Sequence, residues 1–500
     1  TEEDMKIQEE KIIPFWKGRQ IRNRIISNVD QEWLDCYESG IFTEFMEQRA
    51  PGHTVGGNRF YQKGFAEFKE DIKNRIARLD FVNDTDAYNK KVDLEAMSIA
   101  CDAMIVLGKR YAQKAREMAE VETDPKRKEE LLLIAHNCDV VPAHKPETFH
   151  QAIQMYWFVH IGVTSELNIW EAFRPGRLDQ HLNPFYEKDL EDGILDREKA
   201  KELMECFWIK FNNQPAPPKV GITLKESATY TDFANINTGG ITPDGKDGVN
   251  EVSYIILDTM DEMKLLQPSS NVQISRKTPK KFLKRACEVS REGWGQPAFY
   301  NTDAIVSELM EAGKTLEDAR CGGSSGCVET GCFGKEAYVL TGYLNIPKIL
   351  EITLNNGLDP VSGKKLGIET GDPREFMTYD ELFDAFSKQL NHFVDIKMRG
   401  NQIIENIYAK HCPAPLMSII VDDCIEKGMD YQRGGARYNT RYIQGVGTGT
   451  VSDSLIAIKY NVFDKKKFDM GTLLDAMHAN FEGYEQILNM VKNKTLFKSL

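Results

Sequence analysis

The sequence has no apolar run long enough to cross a bilayer. Its most apolar stretch, around Met155 to Val163, falls well short of the roughly 20 residues that a helical span needs. It has no excess of positive charge either. The formal net charge is −13, which argues against nucleic acid or an anionic membrane as a partner. The opening residues, Thr1-Glu2-Glu3-Asp4, are acidic and lack a signal-peptide pattern. No internal repeat, low-complexity segment or convincing linker interrupts the chain. These absences predict a soluble, cytoplasmic protein.

The cysteines lack the patterns of a metal site or a disulfide framework. Ten of them are spread from Cys36 to Cys424. Cys321, Cys327 and Cys332 are not in CxxC spacing and have no histidine nearby, so no bound metal is expected. A chain of 500 residues can bury its own core and does not need disulfide staples. Reduced thiols are expected, one of them special.

The special one stands in Gly322-Gly323-Ser324-Ser325-Gly326-Cys327-Val328-Glu329-Thr330-Gly331-Cys332. Three glycines and two serines precede Cys327, and such a composition favours a bent loop. In an extended segment residues i and i+2 point to one side, so Cys327 and Glu329 could address one small molecule together. No Gly-Lys-Ser/Thr follows, which excludes a phosphate-binding P-loop. Taken on residues alone, a tight turn with buried thiols competes with a reactive loop. A second glycine-rich stretch, Gly434 to Thr450, lacks the GxGxxG pattern and its acidic follower. It is expected to form loops where backbones approach closely.

Periodicity predicts helices over Gly64–Phe81, Asp93–Val121, Glu147–Val163, Ala200–Phe211, Val252–Met263, Lys280–Arg291, Asp303–Ala312, Tyr379–Ala409 and Leu473–Met490. A helical pattern also runs from Ile7 to Ile26, and a charged turn is expected over Pro125–Lys128. Strands are expected at Asn271–Ser275, Pro297–Tyr300 and Leu416–Val421. Alternation of strand and helix before the cysteine loop argues for an α/β barrel. The stretch Ser227 to Gly240, dense in small polar residues, suits a loop at a barrel mouth or a surface turn. Arg174 and Arg177 read as structural ion-pair partners. The chain reads as one domain, 1–500, with a helical N-terminal part over about 1–165.

Gly326-Cys327-Val328-Glu329 resembles the cysteine loop of glycyl radical enzymes, and the flank through Tyr338 is similar to their 4-hydroxyproline dehydratase branch. The resemblance implies an α/β barrel of two antiparallel five-stranded half-barrels surrounded by helices, with the cysteine loop inside. It implies Cys327 as the thiyl residue and Glu329, His53 and Asp232 as candidates for proton transfer. Glu171 would hold a ring ammonium, where this branch is expected to carry aspartate. Phe45, Ser227, Phe233 and Tyr343 match substrate-contacting positions.

The implied reaction is loss of water from 4-hydroxyproline to give pyrroline-5-carboxylate. A glycyl radical would drive it, installed by a radical S-adenosylmethionine activating enzyme, in an expected homodimer. No organic cofactor is implied. Nothing after Gly449 resembles the motif of the radical-bearing glycine, so that glycine is expected in a domain outside this chain. Two alternatives stay open. One is another glycyl radical reaction, such as diol dehydration, choline cleavage or arylacetate decarboxylation. The other is a non-enzymatic, radical-storing chain, against which the pairing of Cys327 with Glu329 argues.

Overall fold

The computed structural model describes residues 1–46, 54–167, 173–213, 234–326 and 329–492. The chain divides into two units. One is built from Arg49–Leu340 and Tyr408–Tyr442, the other from Thr1–Gln48, Thr341–Ile407 and Ile443–Leu500.

In the first unit three parallel strands lie in the order β1 (Asn235–Gly239), β2 (Ser269–Ile274) and β3 (Ala298–Asn301). Parallel neighbours need a crossover, and a helix follows each strand: Glu251–Met263, Lys280–Arg291 and Thr302–Glu311. The first begins at a capping box, Asn250 with Ser253. Its residues Val252, Ile255, Ile256 and Met260 are buried along one face, at the spacing of an amphipathic helix. Phe282, Ala286 and Val289 do the same for the second.

The sheet is two-faced. Ile236 of β1 and Val272 of β2 enter the main apolar core. Asn235 and Asn237, two residues apart and therefore on the opposite side, are buried polar groups. Beyond the helix Leu316–Arg320, β4 (Gly323–Ser324) and β5 (Thr330–Gly331) form an antiparallel hairpin. Further on, β6 (Glu336–Asn345) pairs with β7 (Tyr438–Val446).

Five expectations are corrected. Leu416–Val421 is not a strand: Pro415–Ile420 is a helix. Pro415 opens it with a fixed φ, and the Glu166 carboxylate accepts the N–H groups of Leu416 and Met417 at 2.8 and 2.9 Å. Pro125–Lys128 is not a turn but the first turn of helix Pro125–Val140, capped by Asp124. The last helical pattern is two helices, Met470–His478 and Glu485–Val491. They are separated by left-handed backbone at Asn480, Phe481 and Gly483. Gly434–Thr450 includes strand β7 and the start of helix Thr448–Ile458 rather than loops alone. The end of the Ser227–Gly240 stretch is strand β1.

The N-terminal pattern is helical but broken into short pieces, and Ile12, Ile13 and Trp16 are exposed. No helix among the described residues is long and apolar enough to cross a membrane.

Candidate active site

The β4–β5 hairpin carries the cysteine loop. Gly323 pairs with Gly331 and Ser324 with Thr330, and the Ser325 N–H donates to the Glu329 carbonyl at 2.9 Å. Ser324 and Ser325 are fully buried, and Glu329 is 4% exposed. Cys327 itself lies outside the described residues, as do His53, Glu171, Ser227, Asp232 and Phe233. Of the expected site residues, Glu329, Phe45 and Tyr343 are described.

Side chains on the polar face of the sheet hold the root of this hairpin. Asn237 engages both backbone groups of Ser324: its Nδ2 donates to the carbonyl at 2.8 Å, and its Oδ1 accepts the N–H at 3.2 Å. The same Oδ1 accepts from Gln273 Nε2 at 2.6 Å, and Thr302 Oγ1 donates to Gln273 Oε1 at 3.2 Å. One row over, Asn235 Nδ2 donates to the Gly326 carbonyl at 3.1 Å and Asn271 Nδ2 to Asn235 Oδ1 at 3.3 Å. An amide supplies a donor and an acceptor together, which is why amides can bridge sheet and loop while leaving few buried groups unpaired. The approach is close. A Cβ at Gly323 would stand 2.1 Å from Gln273 Nε2 and 2.6 Å from Asn237 Oδ1, so a side chain there would displace the amides that hold the loop.

Arg177 completes the root. Its Nε and Nη2 donate to the Gly322 carbonyl at 3.0 and 2.7 Å, and its Nη1 to the Gly239 carbonyl at 2.8 Å. The expected ion-pair role is thereby corrected: the guanidinium ties the end of β1 to the start of β4 through carbonyl groups. Past the hairpin, the Glu336 carboxylate accepts the Cys332 N–H at 2.9 Å and Lys314 Nζ at 2.8 Å, and Thr440 donates to it as well. Burial, with the Glu336 charge beside it, pushes the Cys332 thiol well above the ordinary range. Cys321 is also raised by burial. Neither thiol is disposed to ionise.

In the other unit, Phe45 meets Tyr343 edge to face with ring centroids 4.9 Å apart. Backbone bonds hold the pair. The Phe45 N–H donates to the Thr341 carbonyl at 2.7 Å, and the Thr43 N–H to the Tyr343 carbonyl at 2.9 Å. A Cβ at Gly342 would lie 2.1 Å from the Thr43 carbonyl oxygen, a backbone atom, so this contact requires glycine. Behind it the fully buried Lys397 ammonium pairs with Glu44 and donates to Asn401 Oδ1 at 3.1 Å. Asn401 Nδ2 in turn donates to Thr341 Oγ1 at 3.1 Å.

Sequence reasoning missed the amides Asn235, Asn237, Asn271 and Gln273, and the pair Glu44–Lys397. The signal for the amides was present. Asn235 and Asn237, then Asn271 and Gln273, place polar groups two apart in successive strands, where a purely packed sheet would alternate toward apolar residues.

Parallel strands alternating with helices, and a buried hairpin bearing a cysteine and a carboxylate, are features of the glycyl radical class of enzymes. The chain belongs to the family described as PFL-like, or pyruvate formate lyase-like, whose profile matches residues 1–497.

It is 77% identical over 495 residues to trans-4-hydroxy-L-proline dehydratase of Clostridioides difficile, covering 99% of this chain and 63% of that protein. It is 33% identical over 510 residues to isethionate sulfite-lyase of Nitratidesulfovibrio vulgaris, covering 99% of this chain and 61% of that protein. The crystal structure of the C. difficile hydroxyproline dehydratase with trans-4-hydroxy-L-proline bound superposes with a TM-score of 0.96 at 77% identity, over 99% of this chain and 63% of that one. The glycerol-bound B12-independent glycerol dehydratase from Clostridium butyricum gives 0.93 at 34% identity, over 99% and 62%. The chain thus spans a little under two thirds of the length of these relatives. The fold class is the α/β barrel of glycyl radical enzymes, as expected from the sequence.

Proposed function

We propose that the protein to which this chain belongs is a glycyl radical dehydratase that removes water from 4-hydroxyproline to give pyrroline-5-carboxylate. The observation that carries the reading is the 77% identity to trans-4-hydroxy-L-proline dehydratase across 99% of this chain. Identity to the isethionate and glycerol enzymes is less than half of that, which places the alternative eliminations second.

The chemistry explains why a thiol is needed. The hydrogen to be lost sits on a ring carbon beside the amine, and side-chain bases are far too weak to remove it as a proton. The glycyl radical, once installed by a radical S-adenosylmethionine partner, supplies the oxidising equivalent that converts the Cys327 thiol to a thiyl.

Cys327 then takes a hydrogen atom from that carbon, forming S–H and leaving a carbon radical beside the C–OH bond. A proton delivered to the hydroxyl lets it leave as water, and a base takes a proton from nitrogen. The S–H returns its hydrogen atom to the carbon that lost oxygen. The substrate has then lost one water, and Cys327 is a thiyl again. Glu329, His53 and Asp232 are the proton-transfer candidates, with such help worth about 10²–10⁴-fold in rate. Glu171 holds the ring ammonium by a charge-assisted contact. Phe45, Phe233 and Tyr343 wall the ring, and Ser227 binds the carboxylate.

In this reading residues 1–500 act as one catalytic barrel domain, in a cytoplasmic homodimer. For the radical step, the buried, amide-anchored hairpin is support, because a thiyl must be kept from water and from other hydrogen donors.

The test uses the full-length protein, activated anaerobically. Trans-4-hydroxy-L-proline is offered beside choline, glycerol and an arylacetate, with products read by mass spectrometry. Formation of pyrroline-5-carboxylate, abolished in Cys327→Ala, is expected. Turnover of another compound without hydroxyproline dehydration overturns the assignment.

A further inference from the structure

We propose that Asn235 and Asn237, backed by Gln273 and Thr302, are positioning residues that aim the cysteine loop by fixing the backbone on the N-terminal side of Cys327. The catalytic part of this inference rests on the reading of Cys327 as the hydrogen-abstracting residue.

The geometry converges on one carbonyl. The Gly326 oxygen has three donors: Asn235 Nδ2 at 3.1 Å, Ser324 Oγ at 3.1 Å and the Tyr300 hydroxyl at 3.4 Å. A carbonyl has two lone pairs, so this one is fully engaged. By covalent geometry that carbonyl belongs to the planar peptide unit whose nitrogen is that of the next residue. Holding the oxygen therefore restricts the direction in which the chain enters residue 327. Two residues earlier in the chain, Asn237 clamps both the N–H and the carbonyl of Ser324 on β4.

The clamp also has depth. Thr302 orients Gln273, Gln273 orients Asn237, and Asn271 orients Asn235. These groups sit on β1 and β2 or at the end of β3, and are buried. Without such support, a loop rooted in Gly322, Gly323 and Gly326 would have ample backbone freedom. Hydrogen-atom transfer needs the opposite, because reacting atoms must be held within a few tenths of an ångström of the productive geometry. A rigid sheet supplying a polar face to a glycine-rich loop meets both demands: close approach and a fixed direction.

Asn235→Asp and Asn237→Asp keep shape but delete the donor to the loop carbonyl. Thr302→Val is isosteric and lies three hydrogen bonds from the loop, which guards against a buried charge simply preventing folding. In the full-length activated enzyme, kcat should fall about 30-fold in either Asp variant, approaching the roughly 10²-fold that a 1 Å misplacement costs. KM should stay within about threefold and glycyl radical content by electron paramagnetic resonance within about twofold, since neither amide is assigned to substrate. The deuterium isotope effect on kcat, with the ring carbon beside nitrogen labelled, should rise as hydrogen transfer becomes slower. Thr302→Val should show the same signature at smaller amplitude.

Amide hydrogen exchange gives a readout that does not depend on the substrate. Exchange over residues 322–331 should quicken in all three variants while that of the helix 251–263 does not. If wild type acts on no hydroxyproline, the functional reading fails, and loop exchange still decides whether the amides anchor the loop. Unchanged loop exchange in the variants overturns the proposal. So does an activity loss matched by lost radical content with no change in isotope effect.

Discussion

Phe45 and Tyr343 stand edge to face at 84°, with Phe45 almost wholly buried. Such a pair contributes about 0.5–1.5 kcal/mol beyond its burial, and it presents one rigid aromatic corner. Phe45→Ala is expected to cost about 3–5 kcal/mol of stability, as for other buried phenylalanines cut to alanine. If the corner also walls the substrate ring, KM for hydroxyproline rises in the same variant, while Phe45→Leu loses less of both. Urea denaturation and steady-state kinetics on the full-length enzyme check this. A stability loss of the expected size with KM unchanged would reduce Phe45 to core packing.

Where the sequence was readable, the reason was local. Lys280–Arg291 was found with its observed bounds, because Phe282, Ala286 and Val289 repeat at helical spacing within one element. Glycine density marks the cysteine segment as a bent loop, and the family resemblance singles out Cys327 within it. Leu416–Val421 reads as a strand because a short apolar run fits strand or helix equally; a carboxylate far along the chain, Glu166, decides for the helix Pro415–Ile420 by capping it. The segment of β1 reads as a barrel-mouth loop or a surface turn because the stretch is dense in small polar residues and ends in Gly239 and Gly240. The alternation of the amides Asn235 and Asn237 shows in the sequence, but their partners, Ser324 and Gly326, are distant along the chain, and nothing local says which loop they hold. The Glu44–Lys397 pair was unreadable for the same reason.

Glu329→Gln keeps the shape of a buried side chain and removes its ability to carry a proton. Turnover is expected to fall about 10²–10⁴-fold, the range for losing a general acid or base. Radical content and substrate affinity should change much less. Electron paramagnetic resonance beside single-turnover kinetics separates the two. A variant that binds substrate normally yet holds no radical would show that Glu329 supports the loop and does not move protons.

Glu166 makes the stability of the fold depend on pH. Burial raises its carboxyl to about 7, against the lowering effect of the Leu416 and Met417 N–H groups and with the Asp430 charge adding to the rise. The folded state therefore binds this proton more tightly than the unfolded chain does. Its contribution is fully present below about pH 4.5 and is lost as pH rises through about 7. A shift of that size corresponds to about 3 kcal/mol. Glu166→Gln is neutral throughout, so the difference in stability between variant and wild type should grow in the variant's favour from pH 5 to pH 8. Denaturation midpoints at the two pH values test it, and a constant difference would refute the assignment.

The family resemblance anticipates aspartate where this chain carries Glu171. A carboxylate carried one methylene further still attracts a ring ammonium, because charge attraction declines only gradually with distance. A longer carboxylate would, however, tolerate more than one placement of the nitrogen. The full-length enzyme is therefore expected to dehydrate the L-trans isomer of 4-hydroxyproline best and a D isomer next. Glu171→Asp should sharpen that preference, raising the ratio of kcat/KM for L-trans over the better D isomer by about tenfold, a difference of about 1.4 kcal/mol in transition-state binding. All four 4-hydroxyproline stereoisomers are offered separately to wild type and variant, and initial rates of pyrroline-5-carboxylate formation are compared. A ratio that stays within about twofold, or about 0.4 kcal/mol, would remove Glu171 from stereochemical control. Turnover of a D isomer alone by wild type, reverting to L-trans in the variant, would make this single methylene the determinant of which enantiomer is accepted.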